Sequence, residues 1–270
     1  MINLEVELNE GFRRIKDRGW LHNSSTSHIH TNDINLGSAI ETARYRINLI
    51  DGLLIKPTVG IIVGTGGLLS ICPELPVDIW LVCDNNKFVL DWVDQAKYAT
   101  RIATRLDDYL RIVYVENLQA TQGYAESGLR NEKISLGKYH LTKDEDRFQL
   151  VKQSARHISI VRCEGDLRDK KFSREFGEIL KKQRLSISFA NLTNVYEHAP
   201  GIYESLPNLP FRDCAVFIWS NRTFGKFLES EVIYGLDNYL MHAGAAYAQF
   251  INGFKNPPAL KKFLQTHIYK

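Results

Sequence analysis

Four short stretches of this 270-residue chain carry residue types and spacings that could hold a nucleotide-like ligand. The first is Gly64-Thr65-Gly66-Gly67, directly after the apolar run Val59 to Val63. Glycine at such a turn lets backbone amides approach a ligand closely, and a helix starting there offers unpaired N–H groups. The second is Asp84-Asn85, which ends the apolar run Ile79 to Cys83 and places an acid eighteen residues past Gly66. An acid at about 20 residues can accept hydrogen bonds from both hydroxyls of a ribose. The third is Gly165-Asp166 after His157 to Cys163. An acidic side chain there can accept from an exocyclic amine such as that of adenine. The fourth is Asn191, Asn194, Tyr196 and His198, after Leu185 to Ala190. It supplies donors, acceptors and one candidate general base. Each stretch has a structural alternative: a tight turn without a ligand, turn chemistry at Asp84-Asn85-Asn86, a helix cap at Asp166, and a polar loop rich in asparagine.

The elements that must position these groups read as alternating strands and helices. Strand-like runs fall at 57–63, 78–83, 157–163, 185–191 and 214–220, and the first, near-continuous in Val and Ile, is typical of a parallel sheet buried on both faces. Helical patterns fall at about 86–110 and 169–183, and the segment between the glycine turn and the second strand is cut short by Pro73 and Pro76. The expected architecture is α/β: a doubly wound, mostly parallel, Rossmann-like sheet with helices on both faces. Residues 1–56 read as an N-terminal helical extension or lid. Within it, Leu8, Phe12 and Ile15 share a helical face, a polar loop at 22–37 carries His28 and His30, and a helix follows from about Ala39 to Leu54. Residues 57–270 read as the cofactor-binding domain, with an insertion at about 111–156 that is either substrate-facing or a mobile excursion. The tail from Phe224 onward reads as mostly helical.

The composition narrows the class. With 44% hydrophobic and 24% charged residues, the chain can bury a sizeable core. A net charge of +3 argues against a dedicated nucleic-acid binder. The four cysteines, Cys72, Cys83, Cys163 and Cys214, form no CxxC pair and mostly lie in or beside apolar runs. They read as small buried hydrophobes in a reducing compartment, with no metal cluster expected. No signal-peptide pattern and no apolar run of about 20 residues is found, so the expectation is a cytoplasmic protein away from membranes.

The order strand–GTGG, strand–Asp84, strand–Gly165-Asp166, strand–Asn191-Leu192-Thr193-Asn194 resembles the Rossmann-like S-adenosylmethionine-dependent methyltransferases over about residues 39–220. The resemblance implies a transferase that uses S-adenosyl-L-methionine. Gly64 and Gly66 would approach the methionine part, Asp84 the ribose and Asp166 the adenine, with Asn191 and its neighbours beside the transferred group. Ile61 to Val63 stand where the first motif often carries an acid, and Leu68 replaces a third glycine. Asn-Leu-Thr-Asn only loosely matches the Asn/Asp-Pro-Pro-Tyr signature of members that methylate amino groups. A small-molecule acceptor is expected over a protein. Three other readings share the motifs: transfer of the aminocarboxypropyl group of the same cofactor, an NAD(P)-dependent oxidoreductase, and a non-catalytic binding module on a degenerate scaffold.

Overall fold

The computed structural model describes residues 2–15, 36–49, 56–65, 67–115, 122–192, 205, 208–219, 222–223, 226–227 and 231–232. They form a six-stranded sheet of order β3-β2-β1-β4-β5-β8, built from β1 (Val59–Val63), β2 (Ile79–Asp84), β3 (Ser159–Glu164), β4 (Ile187–Asn191), β5 (Phe211–Trp219) and β8 (Glu231–Val232). The first five strands are parallel, and β8 runs antiparallel to β5. The two-residue strands β6 (Arg222–Thr223) and β7 (Lys226–Phe227) pair with each other. The chain winds outward from β1 to β3, then returns to place β4 on the other side of β1. The reversal between β1 and β4 is the topological switch point of a doubly wound sheet, and ligands of such sheets bind outside the carboxyl ends of the strands there.

Strand alternation divides the core into two layers. Ile62, Trp80, Val82, Ile160, Phe189 and Ile218 face one side. They pack under α2 (Leu36–Leu49), α3 (Leu68–Ile71), α4 (Lys87–Ile102) and α7 (Glu145–Ala155). Val59, Ile61, Ile79, Leu81, Val161 and Cys163 face the other, beneath α1 (Ile2–Ile15) and α8 (Lys170–Lys182). Leu8 and Phe12 of α1 are buried against β3 and α8, and the Phe12 and Phe176 rings lie 4.7 Å apart. α2 starts at Leu36, earlier than its periodicity suggests, and packs on β5, β8 and the helix Gln122–Leu136.

The strands appear where their apolar runs put them, within a few residues. The helical pattern over 86–110 breaks at Ala103 into α4 and α5 (Leu106–Leu110). The insertion is not an open excursion: after α5 come a π-helical turn (Arg111–Val115), α6 (Gln122–Leu136), a 3-10 turn (Gly137–Tyr139) and α7. In the tail expected to be helical, the described residues after 224 are the strand pairs of β7 and β8.

Cys72, Cys83 and Cys163 are buried and free. Burial pushes the Cys72 thiol up, and burial together with the neighbouring Cys83 does the same at Cys163. Both stay protonated and unreactive, as small hydrophobes do.

α8 lies so close to the chain entering β5 that a Cβ on Gly177 would stand 2.1 Å from the carbonyl oxygen of Asn208. Backbone cannot yield as a side chain can, so Gly177→Ala is expected to cost about 3 kcal/mol. Urea unfolding checks it: the midpoint should fall with an unchanged slope.

Candidate functional site

Gly64, Thr65 and Gly67 follow β1 in the turn that leads into α3. Gly64 has φ +72° and Gly67 φ +66°, a left-handed backbone that L side chains enter at a cost. Among the described residues, the only atom within 4 Å of a Cβ added at Gly64 is Asp84 Oδ2, at 3.7 Å. The backbone here is therefore open on the side that faces the acid. Gly67 differs, because its added Cβ would meet Leu136 Cδ1 at 2.9 Å. It serves the close packing of α6. The helix after the turn is a single turn long, its Leu68 N–H donates to the Thr65 carbonyl at 2.7 Å, and its Ser70 N–H to the Gly67 carbonyl at 2.8 Å. The ligand-binding capacity of this loop thus rests on the turn itself and little on a helix dipole. Gly66 lies outside the described residues.

Asp84 ends β2 beside this turn, in register with Glu164 of β3. Its Oδ1 accepts from the Asn86 N–H at 2.7 Å, and Asn86 caps α4 by accepting from the Phe88 N–H. Turn chemistry and an acid that faces the Gly64 turn therefore coexist in one residue. Burial raises the Asp84 carboxyl to about 6, the nearby charge of Asp166 adds to the rise, and the Asn86 and Asn85 N–H groups hold it down. Two backbone donors leave acceptor sites on a carboxylate that offers about four. Asn85 lies half-buried in the same turn.

Gly165 and Asp166 follow β3. A Cβ on Gly165 would overlap the Phe172 ring at 2.2 Å, so this glycine makes room for an α8 side chain. Asp166 accepts from the Arg168 N–H at 2.9 Å and from Arg168 Nε at 2.7 Å and 2.9 Å through its two oxygens. The cap of α8 is Asp169, whose side chain accepts from the Lys171 and Phe172 N–H groups. An amine contact at Asp166 would have to displace the Arg168 guanidinium, so it is not preformed. Asn191, the last residue of β4, is fully buried between Ile62 of β1 and Ile218 of β5. Asn194, Tyr196 and His198 lie outside the described residues, as do His28 and His30.

The fold thus brings Gly64, Asp84, Asp166 and Asn191 to the carboxyl ends of four neighbouring strands. Sequence reasoning missed a second feature. A pocket beside the glycine turn is lined by Thr65, Gly67, Trp92, Ala96, Tyr109, Tyr114, Glu132 and His140. Its cavity volume is about 40 Å3, and it is open to solvent on one side. Apart from Thr65 and Ser70 at the glycine turn and α3, its polar residues come from α5, the π-helical turn, α6 and the loop after it. No local motif unites positions so far apart, and only the folding of the insertion back onto α3 and α4 brings them together. Among the described residues no group of His, Cys, Asp and Glu assembles as a metal site, and no helix is long and apolar enough to cross a membrane.

No protein-family model matches this chain, and no curated protein matches it in sequence.

Proposed function

We propose that the protein is an S-adenosyl-L-methionine-dependent methyltransferase acting on a small-molecule acceptor. The observation that carries this reading is the half-buried, largely desolvated Asp84 carboxylate at the end of β2, facing the open, left-handed Gly64 turn next to the switch point. A desolvated acid costs stability unless hydrogen-bond donors meet it, and the vicinal hydroxyls of a ribose are such donors. The residues fit the group: Gly64 would let the cofactor approach the backbone, Asp84 would hold the ribose, and Asn191 would border the reacting end. Asp166 would meet the adenine side only after releasing Arg168. When bound, the cofactor would supply an activated methyl group. The protein's part would be to align the acceptor and exclude water, so no dedicated base is required.

The antiparallel β8 favours this reading over a nicotinamide-dependent oxidoreductase. The dinucleotide fold pairs two parallel mononucleotide-binding halves. Here the strand beside β5 runs the other way, so the second half is incomplete among the described residues.

Calorimetry with S-adenosylmethionine and S-adenosylhomocysteine tests the proposal. Saturable one-site binding of both is expected. Folded protein that binds neither would sink it, and binding of NADH in their place would favour the oxidoreductase.

A further inference from the structure

The pocket beside the glycine turn holds a buried polar pair that the proposed cofactor site does not use. His140 is 2% exposed and Glu132 6%. His140 Nδ1 lies 3.1 Å from the Thr142 N–H, which can only donate, so Nδ1 is the acceptor and Nε2 carries the ring proton. That Nε2 is 3.5 Å from Glu132 Oε1, yet it makes no hydrogen bond among the described residues. A buried donor left unmade is costly, so an unused one inside a pocket points to something that completes it. The walls are Trp92, Tyr109 and Tyr114, with the Trp92 and Tyr114 rings edge to face at 5.6 Å. Burial and the Glu132 charge raise both tyrosine hydroxyls, which therefore remain neutral.

We propose that this pocket binds a small, mainly apolar molecule through a hydroxyl group, which accepts from His140 Nε2 and donates to Glu132. A hydroxyl donates and accepts through a single oxygen, so it satisfies an N–H and a carboxylate 3.5 Å apart at once. An ammonium would suit Glu132 and the aromatic walls but would leave the His140 donor unmet. A carboxylate would suit His140 but face Glu132 with like charge. The binding site stands on its own lining. Its reading as the place of the methyl acceptor rests on the function proposed above, and Thr65 and Gly67, shared with the glycine turn, connect the two.

The test uses the full chain labelled with 15N-histidine, the His140 ring signals being identified by their loss in His140→Gln. Phenol, anisole, toluene and benzylamine are titrated in turn. Phenol should move the His140 Nε2 resonance saturably. Anisole, which accepts only, should bind several-fold more weakly, and toluene at least about tenfold more weakly, the scale of a lost pair of hydrogen bonds. Ala96→Leu fills the pocket from α4 and should abolish the phenol shift while the amide spectrum stays folded. The proposal is overturned by a wild-type spectrum that phenol leaves unmoved, by toluene binding as well as phenol, by benzylamine binding more tightly than phenol, or by a phenol shift that survives Ala96→Leu. Phenol binding without binding of S-adenosylhomocysteine would remove the methyltransferase reading and leave this site. The converse would remove this site alone.

Discussion

Glu74→Leu is expected to destabilise the protein by about 3–5 kcal/mol, a large share of the 5–15 kcal/mol that typically holds a domain. Glu74 sits in the 3-10 turn after α3 and is 8% exposed. Its Oε1 accepts from Arg147 Nη1 at 2.5 Å, and its Oε2 from Arg44 Nη1 at 2.9 Å. Arg147 is itself 8% exposed and reaches the carbonyls of Tyr139 and Ser70. Taking away the carboxylate strands that guanidinium in a desolvated place with only neutral partners. The double variant Glu74→Leu/Arg147→Met should recover most of the loss, because the apolar replacement of a whole buried pair is often close to neutral. Urea unfolding of wild type, both single variants and the double variant closes the cycle. A cost below about 1 kcal/mol for Glu74→Leu would show that the pair is not buried as described. The consequence reaches the pocket, since Ser70, held through its carbonyl by Arg147, accepts the Leu141 N–H through its hydroxyl.

The second large effect is at Asp84, where stability and binding should move in opposite directions. Its carboxyl is raised from 3.8 to about 6, a shift of two pKa units worth about 3 kcal/mol. The folded protein keeps this proton at pH values where the unfolded chain has released it. The stabilisation is therefore complete below about 3.8 and is lost as pH rises through about 6. At pH 7.5 the buried charge is a net cost, so Asp84→Asn should raise the stability of the unliganded protein by about 1–3 kcal/mol. The gain should shrink toward zero at pH 4.5. The pH dependence of the difference between the two proteins isolates this residue from the carboxylates whose values are lowered, Asp78, Asp91, Asp144 and Glu145. Affinity should go the other way. If the ionised carboxylate receives ribose hydroxyls, Asp84→Ala should weaken S-adenosylhomocysteine by about 1–3 kcal/mol. Wild-type affinity should then fall about tenfold for each pH unit below 6. Calorimetry at pH 5, 6 and 8 reads this, and an affinity indifferent to both pH and Asp84→Ala would refute the ribose assignment.

Glycine positions show how motif and packing overlap. Gly64, Gly67 and Gly165 all sit in strand-end motifs and look alike in one dimension. In the fold only Gly64 faces open space bordered by an acid, while Gly67 clears Leu136 and Gly165 clears Phe172. A glycine that admits a ligand and one that admits a neighbouring side chain obey the same steric rule, so sequence cannot separate them. Asp166 is a similar case, because its neighbour Arg168 takes up the carboxylate that the motif reserves for an amine.

What the sequence determined by itself was the parallel sheet and the ends of its strands. Apolar strand-like runs separated by helical patterns admit few other arrangements, and the acid at Asp84 follows from the end of β2. Tertiary structure alone decided three things. It set the direction of β8, which depends on a two-residue pairing too short to leave a periodic signal. It made most of the described residues between 111 and 156 helical and packed on the core, where long-range contacts such as Leu36 N–H to Ser135 Oγ outweigh a polar, glycine-bearing composition. It also brought Glu132 and His140 beside Tyr109, Tyr114 and Thr65, because burying a polar pair needs walls from several elements at once.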